Sequence, residues 1–170
     1  QKLDQRTFVA MKKLILVRHA KSSWEGNYSD RERPIKPRGI RDAFLTANTL
    51  KNKAFSFDAV YTSPAKRAFE TALIFMEVLK RDYNTLLTEE ALYDFDGRSL
   101  KAFVCSLPDH LETVLVFGHN HALTALANHW GGFVTDNVPT AGIVILDFDV
   151  SLWSTIESAN TQCLFPKQFR

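Results

Sequence analysis

Two histidines of this chain follow short apolar runs that lie far apart in the sequence. Residues 14–17 lead directly to Arg18 and His19, and residues 114–117 lead through a glycine to His119. Aliphatic and β-branched runs of this length are typical of strands buried in a parallel sheet. Ligands of open α/β sheets bind beyond the carboxyl ends of the strands. We therefore expect both imidazoles at one edge of a sheet.

Two arginines are expected at the same edge. Arg18 directly precedes His19, and Arg67 lies on the first turn of a helix predicted to follow a strand at residues 57–61. Guanidinium groups keep their charge and bind planar or tetrahedral oxyanions through paired hydrogen bonds. Together with His119, these residues predict a pocket for a phosphate group.

A neutral imidazole in such a pocket can attack phosphorus. Free imidazole has a pKa of about 6.5, and neighbouring arginines disfavour its cation, so the nucleophilic form is available at neutral pH. The second imidazole would stabilise charge on the phosphoryl oxygens. This chemistry requires no metal and no cofactor.

The chain alternates strand and helix patterns, which predicts an α/β fold. The expected architecture is a three-layer α/β/α sandwich with a mostly parallel central sheet and an antiparallel edge. Helices are predicted to start near Gly39, after a cap at Ser63 and after a cap at Asn120. A closing hairpin is predicted over residues 144–148 and 153–156.

Length and composition suit one compact domain. The chain has 170 residues, of which 45% are hydrophobic, so it can bury a core without staples. A methionine at position 11 precedes the first strand. We therefore assign residues 11–170 to the domain and interpret residues 1–10 as a leader or an expression remnant that is expected to be flexible.

Charge and cysteine content exclude several classes of partner. The net charge of +2 comes from residues spread along the chain, without a basic tract for nucleic acid. No stretch is apolar enough to span a bilayer, which predicts no membrane partner. Two cysteines outside any CxxC spacing favour a reducing compartment, and we expect a cytoplasmic protein. The oligomeric state is not predicted.

Several blocks of the sequence resemble the histidine phosphatase superfamily, which includes the cofactor-dependent phosphoglycerate mutases. The resemblance covers residues 11–148 and is carried by LILVRHAKSSW, DRERPIKPRGIRDA, FDAVYTSPAKRAFETA, VLVFGHNHAL and VPTAGIVILDF. The RPIKPRG stretch is most similar to SixA-type phosphohistidine phosphatases. This resemblance implies a phosphoglycerate mutase-like fold.

The resemblance also implies roles for the residues of the pocket. His19 would be the nucleophile and become transiently phosphorylated. Arg18, Arg67 and His119 would hold the phosphate.

Three further residues are assigned through the same blocks. Ser22 matches a hydroxyl residue of the family signature, and Asn120 follows His119 in the GHN block, so both are expected to bind substrate. Asp94 in LYDFDG occupies the position of the family's general acid. From its residue type alone, Asp94 could equally be a carboxylate that caps a loop.

The sequence departs from the family pattern near the pocket. Glu25 stands where many relatives have a phosphate-binding asparagine, and His121 replaces a proline after GHN. Asp94 is shorter than the usual glutamate, which would slow ester cleavage but would be tolerated by a phosphorylated imidazole. The short segment between residues 90 and 113 leaves no room for a cap domain. An open pocket favours a phosphorylated protein side chain as substrate.

Other functions compete with a protein phosphohistidine phosphatase. The pocket could serve a phosphomonoesterase acting on small metabolites, phosphoserine or phosphothreonine, or a silent phosphate-binding module. A mutase is less well supported, because little structure surrounds Asp94. A metal site on His19, His119 and His121 is opposed by the charges of the two arginines.

Overall fold

The computed structural model describes residues 11–170, and the predictions for residues 1–10 lie outside this range. Six strands form one sheet in the order β3-β2-β4-β1-β5-β6. Neighbours among the first four strands run parallel, whereas β5 runs antiparallel to β1 and β6. The strands are β1 (Lys12–Arg18), β2 (Ala59–Thr62), β3 (Leu86–Thr88), β4 (Thr113–Gly118), β5 (Ile143–Phe148) and β6 (Asn160–Leu164).

Helices cover both faces of this sheet. They are α1 (Pro37–Lys51), α2 (Lys66–Val78), α3 (Arg98–Cys105) and α4 (Ala122–Gly131). Residues of α1 and α2 pack in one apolar cluster, and residues of α3 and α4 pack in another. The predicted three-layer α/β/α sandwich with an antiparallel edge is confirmed.

The central strand β1 shows why its apolar run forms a buried strand. Side chains alternate across a strand, so Ile15 and Val17 join the cluster with α1 and α2. Leu14 and Leu16 join the cluster with α3 and α4. All four are fully buried. A strand covered on both faces needs apolar residues at every position, which is the pattern seen in the sequence.

The predicted closing hairpin is correct only in its first strand. The partner of β5 is β6, whereas residues 153–155 form a 3-10 turn. Trp153 is fully buried and donates its indole N–H to the carbonyl of Leu111 at 2.8 Å. Its backbone N–H donates to Asp109 Oδ1 at 2.9 Å. Core packing by single side chains therefore produced the apolar pattern that resembled a strand.

Of two helix starts, one differs from its prediction. Helix α1 begins at Pro37, close to the predicted start near Gly39, and a Cβ at Gly39 would clash with the carbonyl oxygen of Lys21. Only glycine allows the preceding loop to pack this closely. Helix α2 begins at Lys66, and Ser63 lies outside it.

Within residues 11–170, no helix combines the length and the apolar character needed to cross a membrane.

The packing of α2 against the sheet gives a test of the fold. Phe75 is fully buried and contacts Phe117 edge to face, with 5.0 Å between the ring centroids. We expect Phe75→Ala to lower the free energy of unfolding by about 3–5 kcal/mol in denaturant titrations. The matched control is Phe133→Ala, since Phe133 is 78% exposed, and its effect should stay within about 0.5 kcal/mol. Similar losses in both variants would contradict this packing.

Candidate active site

The two histidines meet at the carboxyl edge of the sheet, as predicted. Strands β1 and β4 pair in parallel with Arg18 opposite Gly118. The backbone N–H of His19 donates to the carbonyl of Gly118 at 3.1 Å. The imidazoles of His19 and His119 lie with their centroids 5.3 Å apart. The strand register therefore sets the distance between the two rings.

The contacts of His19 fix which ring nitrogen is free. Nδ1 lies 2.8 Å from the carbonyl oxygen of Ala20. A carbonyl can only accept, so Nδ1 carries the proton and Nε2 carries the lone pair. The N–H of Ala20 in turn donates to Thr71 Oγ1 at 2.9 Å, which ties this turn to α2. The neutral ring is thus held with Nε2 as its nucleophilic atom.

His119 is oriented by Ser63, which was predicted as a helix cap. His119 Nε2 lies 2.8 Å from Ser63 Oγ, and both residues are buried. Ser63 Oγ also accepts a hydrogen bond from the N–H of Ala65 at 3.2 Å. The hydroxyl proton can point to Nε2, and in that tautomer the ring proton of His119 is on Nδ1. The capping prediction for Ser63 is wrong, because Ala65 is the N-cap of α2 and the hydroxyl of Ser63 contacts the histidine as well as the N–H of Ala65.

Three arginines contribute to the pocket, one more than predicted. Arg18 Nη1 donates to the carbonyl of Val138 at 2.9 Å, and Arg67 is only 2% exposed. Arg33 is also buried, and its Nη1 donates to Ser22 Oγ at 2.7 Å. Arg33 comes from the loop between β1 and α1, whose residues carry no periodic pattern.

Buried nitrogens around this pocket lack partners. Arg18 Nε, Arg33 Nε, Arg67 Nε and His119 Nδ1 are buried without a hydrogen bond. Across residues 11–170, Arg81 Nε is the only other buried side-chain nitrogen or oxygen in this state. Unpaired buried donors are costly. Arg18, Arg33 and Arg67 also line the pocket, so three of the side chains with an unpaired nitrogen surround a cavity suited to an oxyanion.

The pocket itself has a volume of about 260 Å³ and opens to solvent. It brings together the predicted Arg18, His19 and Arg67, and His119 adjoins it through the His19 ring. Ser22 and Asn120, both predicted to bind substrate, lie in its wall. The lining residues are Arg18, His19, Lys21, Ser22, Trp24, Asp30, Arg33, Arg67, Phe95, Asn120 and Thr140.

Asp94 is directed away from this chemistry. Its Oδ2 accepts from the N–H groups of Gly97 and Leu100 at 3.1 and 2.9 Å, and its Oδ1 accepts from Asp96 N–H at 3.2 Å. Asp94 is not among the residues that line the pocket. The structure therefore gives Asp94 the contacts of a carboxylate that caps the start of α3, and it does not support a general acid at this position.

The two other departures from the family pattern lie outside the pocket. Glu25 and His121 are exposed, and neither lines the pocket. The backbone N–H of His121 donates to the carbonyl of Phe95 at 3.1 Å. In the described part of the chain, no group of three or more His, Cys, Asp or Glu side chains is arranged to hold a metal ion.

Asp30 is the pocket residue that sequence reasoning missed most completely. Its backbone carbonyl accepts from Arg67 Nη1 at 2.6 Å, and its Oδ2 accepts from Arg67 Nη2 at 3.1 Å. Oδ2 also accepts from the hydroxyl of Tyr93 at 2.5 Å, and Oδ1 accepts from Arg33 at 3.3 Å. The available signal was the position of Asp30 at the start of the DRERPIKPRGIRDA block, which also contains Arg33.

Burial and charge keep both imidazoles neutral. Burial lowers the pKa of His19 to about 3, and the positive charges of Arg67 and Arg18 add to this effect. Burial also lowers the pKa of His119 to about 2, with further contributions from His19 and Arg67. A neutral His19 is the nucleophilic form, so this environment favours attack over a wide range of pH.

The low pKa values predict a loss of stability in acid. Unfolded histidine has a pKa of about 6.5, so between that value and about 3 the unfolded chain binds more protons than the folded chain. The free energy of unfolding should therefore fall as pH is lowered through this window. In denaturant titrations, His19→Gln should show a shallower fall than the wild type. The exposed His110→Gln is the control, and identical slopes for His19→Gln and wild type would contradict the assignment.

Comparison with known proteins agrees with the sequence resemblance. Residues 14–97 match the model of the Histidine phosphatase superfamily (branch 1). An uncharacterized protein of Mycobacterium tuberculosis (strain CDC 1551 / Oshkosh) is 29% identical over 151 residues, which cover 83% of this chain and 92% of that protein.

Two solved structures show the same fold. The protein histidine phosphatase SixA complexed with tungstate has a TM-score of 0.79 at 21% identity, covering 93% of this chain and 99% of that one. Phosphoglycerate mutase from Bacillus anthracis str. Sterne has a TM-score of 0.66 at 15% identity, covering 94% and 95%. With its fold and its matching family model, the chain belongs to the histidine phosphatase superfamily.

Proposed function

We propose that this protein is a phosphatase that works through a phosphohistidine on His19. The observation that carries the proposal is the free Nε2 of a neutral His19, in a pocket whose arginines and neighbouring His119 carry buried donors without partners. Three of these donors are arginine nitrogens, and the fourth is Nδ1 of His119. Donors that are held in position before the substrate binds stabilise the charge of the phosphoryl group in the transition state of its transfer.

The reaction then takes two steps. His19 Nε2 attacks phosphorus, and the bond to the leaving atom breaks with its electron pair going to that atom. Water next attacks the phosphorus of phospho-His19, the P–N bond breaks, and its electron pair returns to Nε2. One water proton passes to solvent. The arginines and His119 hold the phosphoryl oxygens throughout.

We favour phosphohistidine in proteins as the substrate. An alkoxide leaves poorly without a proton, and Asp94 is engaged by three backbone N–H groups away from the pocket. A phosphorylated imidazole needs less help from an acid. The open pocket also suits a side chain that projects from a protein surface. The solved relative named a protein histidine phosphatase is consistent with this choice.

The nucleophile assignment predicts a severe loss of activity in one variant. His19→Gln should lower kcat for an aryl phosphate by at least about a thousandfold, since removing a nucleophile costs this much or more. The exposed His110→Gln is the matched control and should keep wild-type activity. Both should be assayed with a chelator. Activity that survives in His19→Gln would rule out this nucleophile, and loss of wild-type activity on chelation would favour a metal site.

A second prediction concerns the leaving group. We expect the wild type to hydrolyse phosphohistidine with a higher kcat/KM than phosphoserine or a sugar phosphate. Asp94→Asn should lower the free energy of unfolding by about 1 kcal/mol through weaker capping, and kcat/KM should change little for all three substrates.

The alternatives give different outcomes in this comparison. Selective slowing of the two esters by Asp94→Asn would identify Asp94 as an acid and favour a phosphomonoesterase. Binding of phosphate without turnover of any substrate would indicate a silent phosphate-binding module. A cytoplasmic location and the absence of nucleic-acid and membrane partners stay predictions from composition.

A further inference from the structure

One carboxylate lines the phosphate pocket, and the proposed reaction gives it no role. Among the described residues that line this pocket, Asp30 is the only acidic one. Its side chain keeps 48% of its surface exposed, although it contacts two buried arginines. A carboxylate in an anion-binding pocket repels the anion unless it contributes something else.

Two guanidinium groups and one hydroxyl hold Asp30 ionised. Arg67 approaches from α2, Arg33 from the same loop, and the hydroxyl of Tyr93 from the segment before α3. Although partial burial raises it, these hydrogen bonds and the charge of Arg67 bring the pKa of Asp30 down to about 2. At neutral pH, Asp30 therefore cannot donate a proton and can only accept hydrogen bonds.

Asp30 also has capacity left to accept. A carboxylate offers about four lone-pair sites, and Arg67, Tyr93 and Arg33 contact three of them. The Arg33 contact is long, at 3.3 Å, and it is the only one to Oδ1. The exposed side of the group is therefore available to a donor on the substrate.

The kind of donor follows from the leaving groups. A phosphate ester presents an ester oxygen, which requires a proton that Asp30 cannot supply. A phosphorylated imidazole is reactive when its far nitrogen carries a proton, because it then leaves as neutral imidazole. A fixed carboxylate stabilises that N–H and so favours the reactive form.

We propose that Asp30 is a specificity-determining residue that accepts a hydrogen bond from the far N–H of a phosphoimidazolium substrate. The inference rests on the proposed function and names its substrate chemistry. His19 Nε2 forms the new P–N bond while the substrate's P–N bond breaks. The electron pair goes to the leaving nitrogen, the N–H stays on the far nitrogen, and no proton is transferred in this step.

The nucleophile already shows the same arrangement. Nδ1–H of His19 is held by the carbonyl oxygen of Ala20, so phospho-His19 is also a phosphoimidazolium with its far N–H on an oxygen. Two aromatic side chains, Trp24 and Phe95, line the same pocket. The ring of Trp24 lies 3.6 Å from the guanidinium carbon of Arg33, and Phe95 contacts His119 with 5.1 Å between centroids. Flat walls of this kind suit a planar leaving group.

The pH dependence of turnover tests the proposal. We would measure kcat for phosphohistidine and for nitrophenyl phosphate, from about pH 6 to about pH 9, in wild type, Asp30→Asn and Glu32→Gln. For phosphohistidine, kcat should fall at high pH, where the far nitrogen of the substrate loses its proton. In Asp30→Asn, the midpoint of this alkaline fall should move to lower pH by about one to two units, the size expected for a charged hydrogen bond. Nitrophenyl phosphate should show no such shift. The exposed Glu32→Gln removes a nearby charge and should match the wild type.

A second substrate distinguishes the loss of this hydrogen bond from a general disordering of the pocket in Asp30→Asn. A phosphoimidazole methylated on its far nitrogen carries the positive charge but no N–H. After correction for spontaneous hydrolysis, kcat for this substrate should show no alkaline fall in either wild type or Asp30→Asn, because there is no N–H to titrate. The proposal would be overturned if the methylated substrate also showed an alkaline fall in kcat and Asp30→Asn shifted it as much as it shifts the fall for phosphohistidine. An equal loss on phosphohistidine and nitrophenyl phosphate without any shift would also overturn it, since Asp30 would then only orient Arg67.

Failure of the proposed function would look different. It would appear in the wild type, as absent turnover of phosphohistidine, or in His19→Gln, as activity that persists. The Asp30→Asn measurements use nitrophenyl phosphate turnover in the same preparation as an internal standard for folding. The wild-type comparison of methylated and unmethylated phosphoimidazole needs no variant.

Discussion

The parallel pairing of β1 with β4 is the constraint on which the rest of the site depends. It aligns Arg18 with Gly118, and the next residue after each strand is a histidine. These are the two middle strands of the sheet, and helices bury both of their faces. The arrangement of the two histidines is therefore set by buried, paired strands, where backbone hydrogen bonds leave little freedom to adjust.

Burial at this edge has an electrostatic consequence. Three arginines and two histidines lie close together, with Asp30 as the only carboxylate in the pocket wall among the described residues. The imidazoles respond by remaining neutral, while the guanidinium groups cannot. The surplus positive charge is stabilised when a phosphate arrives. Burial and, to a smaller extent, the same charges lower the pKa values of the two imidazoles, so the fold loses stability in acid.

Different parts of the site differ in how far the sequence reveals them. Arg18, His19 and His119 could be predicted because buried strands leave a continuous apolar pattern that ends at each histidine. The contact between Asp30 and Tyr93 could not, because it joins two aperiodic segments that only the folded chain brings together.

Local ambiguity explains the other failures. A carboxylate before a glycine can cap a helix or face a pocket, and the sequence around Asp94 is the same in both cases. The polar strand β6 carries no alternating apolar pattern, whereas buried Trp153 and Ile156 imitate one. Ser63 precedes a helix as a cap would, yet its hydroxyl contacts a histidine 56 residues away.

The loop between β1 and α1 is closed at its base by two hydrogen bonds. Lys36 N–H donates to the carbonyl of Lys21 at 2.9 Å, and Ser23 N–H donates to that of Pro34 at 2.8 Å. Because its ends are joined, its interior can change in length at small entropic cost. Asp30 and Arg33 both lie within it, whereas His19 lies outside. The loop that carries Asp30 can therefore vary in length without altering the strand pairing that positions His19.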